Sequence, residues 1–230
     1  MIRVELVSGF DLRLSPGKWE FADAERHAID RHWAAIIAEK PFLWNGAVLI
    51  CTSAEVADGT LRAVLARTDF ASFIAWRDWG WPDRAARNCF CVPAVMSADG
   101  ALLLGLMSER TLNHGKVYPP SGSLEPRDVR PDGTIDVFGS MAAELAEETG
   151  LRLADATPAE ALAIFDGQRL ALVQRFDHPF CFAAMEATFA AHRERDTHRE
   201  LDAILAITSA SQIDARMPVY AQELIRQFLP

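Results

Sequence analysis

Three glutamates near the middle of the chain strongly constrain how their segment can fold. Glu144, Glu147 and Glu148 stand at positions i, i+3 and i+4. On an α-helix this spacing brings the three carboxylates to one face within about one turn, where like charges repel. A divalent cation would reverse that cost, and hard cations such as Mg²⁺ prefer oxygen ligands and bridge to phosphate oxygens. The spacing therefore predicts a helix that presents a metal ion to a phosphate compound.

The residues that flank the acids predict where this helix begins and ends. Asp136 is suited to cap a helix over 137–149, and Gly150 is suited to the left-handed position after its last turn. Leu145 and Leu151 lie on other faces and are expected to anchor the helix to a sheet. The alternative is an ordinary solvated helix face, which the spacing of the acids does not exclude by itself.

Composition limits the classes of function that the chain can have. Its 230 residues suffice for one substantial core, or for one domain with a small extension. The net charge of −9 disfavours binding to nucleic acid, and no run of about 18 apolar residues predicts a membrane span. The N-terminus lacks the pattern of a secretory signal, and four cysteines in apolar surroundings fit a reduced, cytoplasmic protein. A monomer and a homodimer are both compatible with the sequence.

The distribution of tryptophan divides the chain, because all six tryptophans lie in the first 81 residues. We expect an N-terminal extension at 1–86 and a second domain at 87–230. The extension is expected to contain helices over 22–39 and 69–79 and strands over 47–52 and 60–67. The second domain is expected to contain a hairpin of strands 88–96 and 101–107, further strands over 116–118, 160–165, 168–174, 181–189 and 201–207, and a closing helix over 219–228. This mixture predicts an α+β fold with a mixed sheet.

The loop before the predicted helix completes a recognisable motif. Ser121-Gly122-Ser123-Leu124-Glu125-Pro126 and the acidic helix together resemble the signature of the Nudix hydrolases: Gly, five residues, Glu, seven residues, then Arg-Glu-aliphatic-x-Glu-Glu-x-Gly-aliphatic. Gly122 matches the opening glycine, and six positions match the closing block: Glu144, Leu145, Glu147, Glu148, Gly150 and Leu151. The resemblance implies a Nudix-type α/β/α sandwich with a mixed sheet, preceded here by a small Trp-rich α/β extension.

The chain departs from this signature at two places. Ala143 occupies the position of the signature arginine, which in the family mainly orients the adjacent glutamates. The loop is also seven residues too long, and we place the insertion at 129–135. Asp128 would then stand where the family has its first glutamate. Lengthening a loop in this way has a small entropic cost.

The resemblance implies hydrolysis of the diphosphate bond in a nucleoside diphosphate linked to another group, with Mg²⁺ or alternatively Mn²⁺ as cofactor. It implies that Glu144, Glu147 and Glu148 are the catalytic residues and the metal ligands, and that Gly122 and Glu125 belong to the substrate-binding loop. The general base varies within the family, and Glu186 and Glu200 are candidates for it. Arg110 and Lys116 precede the motif and are candidates to hold phosphate oxygens, although solvated surface charges would have the same sequence.

The substrate is less well indicated than the reaction. Trp44-Asn45-Gly46, the small N-terminal domain and the expanded motif are similar to a Nudix branch that acts on UDP-glucose and UDP-galactose. Aromatic rings can stack on a base, but we expect Trp33, Trp44 and Trp76 to belong to the core of the extension. ADP-ribose, a dinucleotide, coenzyme A and a damaged nucleoside triphosphate stay open as substrates. The rival hypothesis is a nucleotide-binding or regulatory protein with weakened catalysis, which Ala143 and the insertion favour.

Overall fold

The computed structural model describes residues 2–230, which form two β-sheets and several helices. The strands are β1 (Ile2–Val7), β2 (Gly9–Lys18), β3 (Ala47–Ala57), β4 (Thr60–Asp69), β5 (Asn88–Met96), β6 (Leu102–Met107), β7 (Val117–Tyr118), β8 (Gly122–Ser123), β9 (Thr157–Asp166), β10 (Arg169–Asp177) and β11 (Leu201–Ile207). The α-helices are α1 (Glu20–Ala24), α2 (Arg26–Glu39), α3 (Phe70–Asp78), α4 (Val137–Thr149), α5 (Phe182–Arg193) and α6 (Val219–Phe228). The predicted α+β class is confirmed.

The larger sheet is mixed, as the sequence predicts. Its strands follow the order β1-β9-β10-β5-β6-β11, and the pairing of β10 with β5 is parallel, whereas the other pairings are antiparallel. The central strand β5 is buried along nearly its whole length, which is typical of a strand that is covered on both faces. Adjacent residues of β5 confirm this, because Cys91 faces Ser140 of α4 whereas Phe90 packs edge-on against Tyr220 of α6. Helices α4 and α6 therefore cover opposite faces of the sheet.

The sheet opens between β5 and β6, and this opening positions the signature loop. The two strands have the predicted bounds within one residue, but they pair only at their closed end, through Met96 and Leu102. Beyond that pair, β8 joins β5 and β7 joins β6. The segment Val117–Ser123 thus fills the opening and delivers Gly122 to the start of the signature loop. The backbone groups of β5 and β6 that face the opening are not left unpaired, because β8 hydrogen-bonds to β5 and β7 hydrogen-bonds to β6.

The smaller sheet has the order β2-β4-β3 and packs against the larger one. Leu12, Leu49 and Leu65 from the smaller sheet share one hydrophobic core with the strands of the larger sheet. The strand β1 precedes β2 but pairs with β9, so residues 2–7 belong to the larger sheet. A domain boundary at 86/87 stays a prediction, and the shared core indicates that the two parts support each other.

Several elements differ from the sequence predictions. The predicted strand at 181–189 is helix α5, whose buried residues Phe182, Met185 and Phe189 follow helical spacing. The predicted helix at 22–39 is two helices separated at Glu25, which has a non-helical backbone. Strands β1 and β2 were not predicted from their sequence. Cys181 is exposed, whereas the other three cysteines are buried as expected.

The tryptophans of the N-terminal region do not behave alike. Trp76 is fully buried and contacts Trp19 and Trp81 in a second core, which confirms the structural prediction for this residue. Trp33 is half-buried against Phe70. For Trp44 the prediction of a core position is wrong, because 75% of its surface is exposed. Its ring lies over Gly46, which has no side chain to obstruct it. Within residues 2–230, every helix is too short or too polar to cross a membrane.

Candidate functional site

Helix α4 forms as its capping residues predict. The Asp136 carboxylate accepts a hydrogen bond from the Gly139 N–H at 3.0 Å, and Gly150 adopts the left-handed conformation with φ of 74°. Leu145 and Leu151 are buried, which confirms that they anchor the helix against the core. The acidic face is thereby fixed in rotation relative to the sheet.

The three acids of this face differ in their exposure to solvent. The side chain of Glu147 is 57% exposed, whereas that of Glu144 is only 14% exposed. Glu148 is 7% exposed as a residue, and its Oε2 atom has no hydrogen-bond partner within residues 2–230. An unpartnered buried carboxylate oxygen is costly, because it has lost its hydration without replacement. Glu144 and Glu148 therefore do not belong to an ordinary solvated helix face.

The pKa values of the buried acids reflect this environment. The pKa of Glu144 is raised to about 7, mainly by burial and then by Glu147, while Arg127 opposes these effects. Burial also raises the pKa of Glu148 well above its usual range, and the nearby Glu200 and Glu144 act in the same direction. The backbone of Ser121 offsets only part of this shift. Perturbed acids that share a cleft are typical of catalytic and metal-binding sites, although structural networks also produce them.

Gly122 lies directly against the acidic helix. A Cβ atom at this position would lie 2.0 Å from the carboxyl carbon of Glu144, a distance that no non-bonded contact allows. A side chain at this position would therefore displace the Glu144 carboxylate, whereas glycine lets the backbone of β8 lie directly beside it.

We expect the substitution Gly122→Ala to displace the Glu144 carboxylate and to reduce turnover of the substrate roughly a hundredfold, since misplacement of a reacting group by about 1 Å has effects of this size. Steady-state kinetics measures this effect. Gly9→Ala is the matched control, because no atom lies within 4 Å of the added Cβ in that strand. Equal activity of the two variants would contradict the positional role of Gly122.

The first part of the signature loop is held by Asp128. The Oδ2 atom of Asp128 accepts a hydrogen bond from the backbone N–H of Glu125 at 2.8 Å, and its carboxylate also bonds to the Ser140 side chain. Asp128 is buried, and burial is the largest cause that raises its pKa. These contacts join the loop to the first turns of α4. Asp128 thus has a structural position, and a role for it in place of the family's first glutamate stays a prediction.

Arg127 connects the loop to the acidic face. Its guanidinium lies 3.2 Å from the Glu125 carboxylate, 3.4 Å from that of Glu144 and 3.2 Å from that of Glu147. The sequence analysis did not single out this residue. Its position two residues after Glu125 was the available signal, but the spacing alone does not indicate that a turn at Pro126–Asp128 directs its side chain back to the helix.

The two candidates for the general base, Glu200 and Glu186, lie in different parts of the structure. Glu200 immediately precedes β11 and is close enough to raise the pKa of both Glu144 and Glu148. Burial is the largest cause that raises its own pKa. As residues, Glu200 and Glu186 are both exposed, but Glu186 lies on α5 and is not among the main causes that shift the pKa of Glu144 or Glu148. The structure therefore brings Glu200, and not Glu186, near the acids of α4, and a role for either residue as general base stays a prediction.

The two cationic candidates lie on the surface between β6 and β7. The Arg110 guanidinium donates a hydrogen bond to the Thr197 carbonyl at 3.0 Å, and Lys116 is exposed. A role for either residue in phosphate binding stays a prediction. Tyr118 was not predicted as a neighbour of the site, yet its hydroxyl is close enough to Glu148 for the carboxylate to contribute to its raised pKa, after the larger effect of burial.

The carboxylates fit a hard divalent cation by their chemistry. Glu144, Glu147 and Glu148 supply carboxylate oxygens as ligands, and Glu148 Oε2 has no hydrogen-bond partner within residues 2–230. Within residues 2–230 no group of three His, Cys, Asp or Glu side chains is already arranged around one point. Binding of a cation would thus require the carboxylates to turn towards it.

The insertion in the signature joins the site to the smaller sheet. Val129 and Ile135 pair across a turn, and the backbone then bonds to β2 through Leu14 N–H to Gly133 O (2.9 Å) and Ile135 N–H to Leu12 O (3.0 Å). The Leu49 N–H of β3 also donates to the Leu124 carbonyl at 2.8 Å. The smaller sheet therefore supports the loop on both sides of Glu125.

Comparison with protein-family profiles finds no match, and comparison with curated proteins finds none either. Among solved structures, the chain is similar to the MutT protein from Methanosarcina mazei, with 20% sequence identity and a TM-score of 0.41 over 62% of this chain and 92% of that one. It is also similar to the Nudix domain of Shewanella oneidensis NrtR in complex with ADP-ribose, with 12% identity and a TM-score of 0.43 over 66% and 94% of the two chains.

A third similar structure is RenU, a Nudix hydrolase from M. smegmatis, with 12% identity and a TM-score of 0.37 over 60% of this chain and 82% of that one. The NrtR domain and RenU carry the name of the family that the signature resembles. Similarity at this level assigns no role to any residue of the present chain.

Proposed function

We propose that this protein is a Mg²⁺-dependent hydrolase that cleaves the diphosphate bond of a nucleoside diphosphate derivative. The observation that carries the proposal is the largely buried Glu144 beside Gly122 together with the buried Glu148, one of whose carboxylate oxygens is unpartnered within residues 2–230. Such a pair is unfavourable for the fold by itself, because burial and mutual repulsion both oppose its ionisation. A cation that binds diphosphate offsets this cost and explains why the acids are together.

In the proposed reaction, water adds to one phosphorus atom and the bridging P–O bond breaks. The products are a nucleoside monophosphate and the phosphate ester of the second group. Glu144, Glu147 and Glu148 would hold Mg²⁺ or Mn²⁺, which when bound neutralises the diphosphate and lowers the pKa of water. Glu200 has a raised pKa because of burial, and a carboxylate with a raised pKa is suited to accept the proton of the attacking water near neutral pH.

We propose a UDP-sugar as the substrate, which would yield UMP and a sugar 1-phosphate. The exposed ring of Trp44 supports this, because an unburied indole in the segment that leads into β3 is available to stack on a base. This support is independent of the acids, since it concerns a largely exposed residue of the N-terminal region whose ring lies over Gly46. Stacking alone does not distinguish uracil from other bases, so the substrate has to be identified by its products.

A panel of UDP-glucose, ADP-ribose, NADH, coenzyme A and 8-oxo-dGTP, incubated with Mg²⁺ and analysed for products, tests the proposal. We expect UDP-glucose to give UMP and glucose 1-phosphate, and EDTA to abolish turnover because the carboxylates alone do not neutralise a diphosphate. Turnover that persists in EDTA would contradict the metal-dependent mechanism. Hydrolysis of a different compound would change the substrate and leave the reaction class intact.

A nucleotide-binding protein without catalysis is the second candidate. Ala143 and the seven-residue insertion in the signature loop favour it. The buried, unpartnered Glu148 opposes it, because a binding protein does not require a costly buried acid. Binding of panel compounds without turnover of any of them, at several Mg²⁺ and Mn²⁺ concentrations, would favour this second candidate.

A further inference from the structure

Ala143 leaves the acidic helix without the arginine that the signature places beside its first glutamate. An alanine side chain cannot neutralise or orient a neighbouring carboxylate. The structure nevertheless contains a guanidinium at the acidic face, and it comes from the loop rather than from the helix. Arg127 lies within 3.4 Å of carboxylate oxygens of Glu125, Glu144 and Glu147.

We propose that Arg127 is a positioning residue that replaces the signature arginine and holds Glu144 and Glu147 in the orientation required for cation binding. This inference rests on the proposed function, since it concerns the same site. Arg127 contacts the two helix acids through separate nitrogens, Nη2 for Glu144 and Nη1 for Glu147. A planar guanidinium can bond two carboxylates at once in a fixed relative geometry, which a lysine ammonium does less well.

The backbone around Arg127 is organised so that its side chain is directed to the helix. Pro126 restricts the start of the turn that contains Arg127, and the buried Asp128 bonds to the N–H of Glu125 on the other side. The position of the guanidinium therefore depends on a fixed backbone and not only on a flexible side chain. Arg127 is about half exposed, and exposed ion pairs typically contribute little, but the fixed backbone and the less exposed Glu144 lower the cost of holding this one in place.

A different interpretation is that Arg127 competes with the metal, because both are cations near the same carboxylates. The two interpretations predict opposite signs for the change in metal affinity. If Arg127 positions the acids, its removal weakens binding of the cation. If Arg127 competes, its removal strengthens binding, because a like charge has been taken away.

The experiment measures Mn²⁺ binding by the paramagnetic resonance signal of free Mn²⁺, together with kcat, KM and thermal unfolding, for the full chain and four variants. We expect Arg127→Ala to weaken Mn²⁺ binding at least about tenfold, which is typical when a residue that supports metal ligands is lost. We expect kcat to fall similarly, Arg127→Lys to be intermediate, and Arg127→Ala/Ala143→Arg to recover part of the affinity.

Arg130→Ala is the matched control. Arg130 lies in the same loop, is about equally exposed, and pairs with Asp136 rather than with the acids of the face. We expect its Mn²⁺ affinity to equal that of the unmodified chain. Unchanged or tighter Mn²⁺ binding by Arg127→Ala overturns the inference. Failure of the unmodified chain to bind Mn²⁺ would instead contradict the proposed function, so that the two failures are distinguishable.

Discussion

Glu148→Gln is expected to reduce hydrolysis severely and, at the same time, to make the metal-free protein more stable. Loss of a metal ligand at the reacting phosphate should reduce turnover roughly a thousandfold, which corresponds to about 4 kcal/mol. The gain in stability follows because the glutamine amide is neutral, whereas the Glu148 carboxylate is buried with an unpartnered oxygen. A gain of 1 kcal/mol raises the unfolding temperature of a protein of this size by about 2–4 °C.

Product analysis with Mg²⁺ measures the loss of turnover, and thermal unfolding in EDTA measures the gain in stability of the metal-free protein. Both use the same preparation. Glu147→Gln is the matched comparison for stability, because Glu147 is on the same helix face but largely exposed. We expect it to change the unfolding temperature much less than Glu148→Gln does. A Glu148→Gln protein that is fully active, or less stable than the unmodified chain in EDTA, would refute the view that function and not folding requires this acid.

Parts of the site could be predicted from the sequence, whereas the burial that makes Glu148 costly for stability could not. Helix α4 was predictable because its determinants are local: the Asp136 cap, the Gly150 terminus and the spacing of the acids all act within a few residues. The burial of Glu148 was not predictable in the same way. It depends on Tyr118, Ser121 and Glu200, which approach from the opening between β5 and β6 and from the start of β11.

Non-local hydrogen bonding explains most of the differences in the fold. Strand β1 pairs with β9 across more than 150 residues, and no pattern within its own six residues specifies that partner. The apolar run at 181–189 is compatible with either a strand or a buried helix face, and packing decides for α5. Arg127 was missed for a related reason, because a turn rather than a helical repeat brings its side chain to Glu144 and Glu147.

The pH dependence of stability provides a second test that does not require the substrate. The pKa of Glu144 is raised from its ordinary value of 4.5 to about 7 in the folded protein, and burial is the main cause. A carboxyl group whose folded pKa is raised stabilises the fold fully below its unfolded pKa. That contribution is lost as the pH rises through the folded pKa. For Glu144 the loss is of order 3 kcal/mol, and the pKa of Glu148 is shifted in the same direction.

We therefore expect the metal-free protein to lose stability as the pH rises from about 4.5 to about 7, and Mg²⁺ to reverse this loss at and above the upper end. The cation binds the ionised carboxylates, so its stabilising effect should be absent near pH 5 and should grow with pH. At lower pH, acids whose pKa is lowered in the folded protein have the opposite effect, because the fold loses stability when they are protonated. Asp69, for example, has a lowered pKa because its bonds to Ser72 and Arg26 outweigh burial, and its protonation destabilises the fold.

The measurement is thermal unfolding at intervals from about pH 4.5 to about pH 8, in EDTA and in millimolar Mg²⁺. It gives the pH dependence of the unfolding temperature without and with the cation. The double variant Glu144→Gln/Glu148→Gln should show a flatter pH profile in EDTA and no effect of Mg²⁺, since neither side chain can ionise. An equal effect of Mg²⁺ near pH 5 and near pH 8 would assign the stabilisation to another site. A pH profile that the double variant shares with the unmodified chain would show that these two buried acids do not control the stability, and the reason to place a cation between them would be lost.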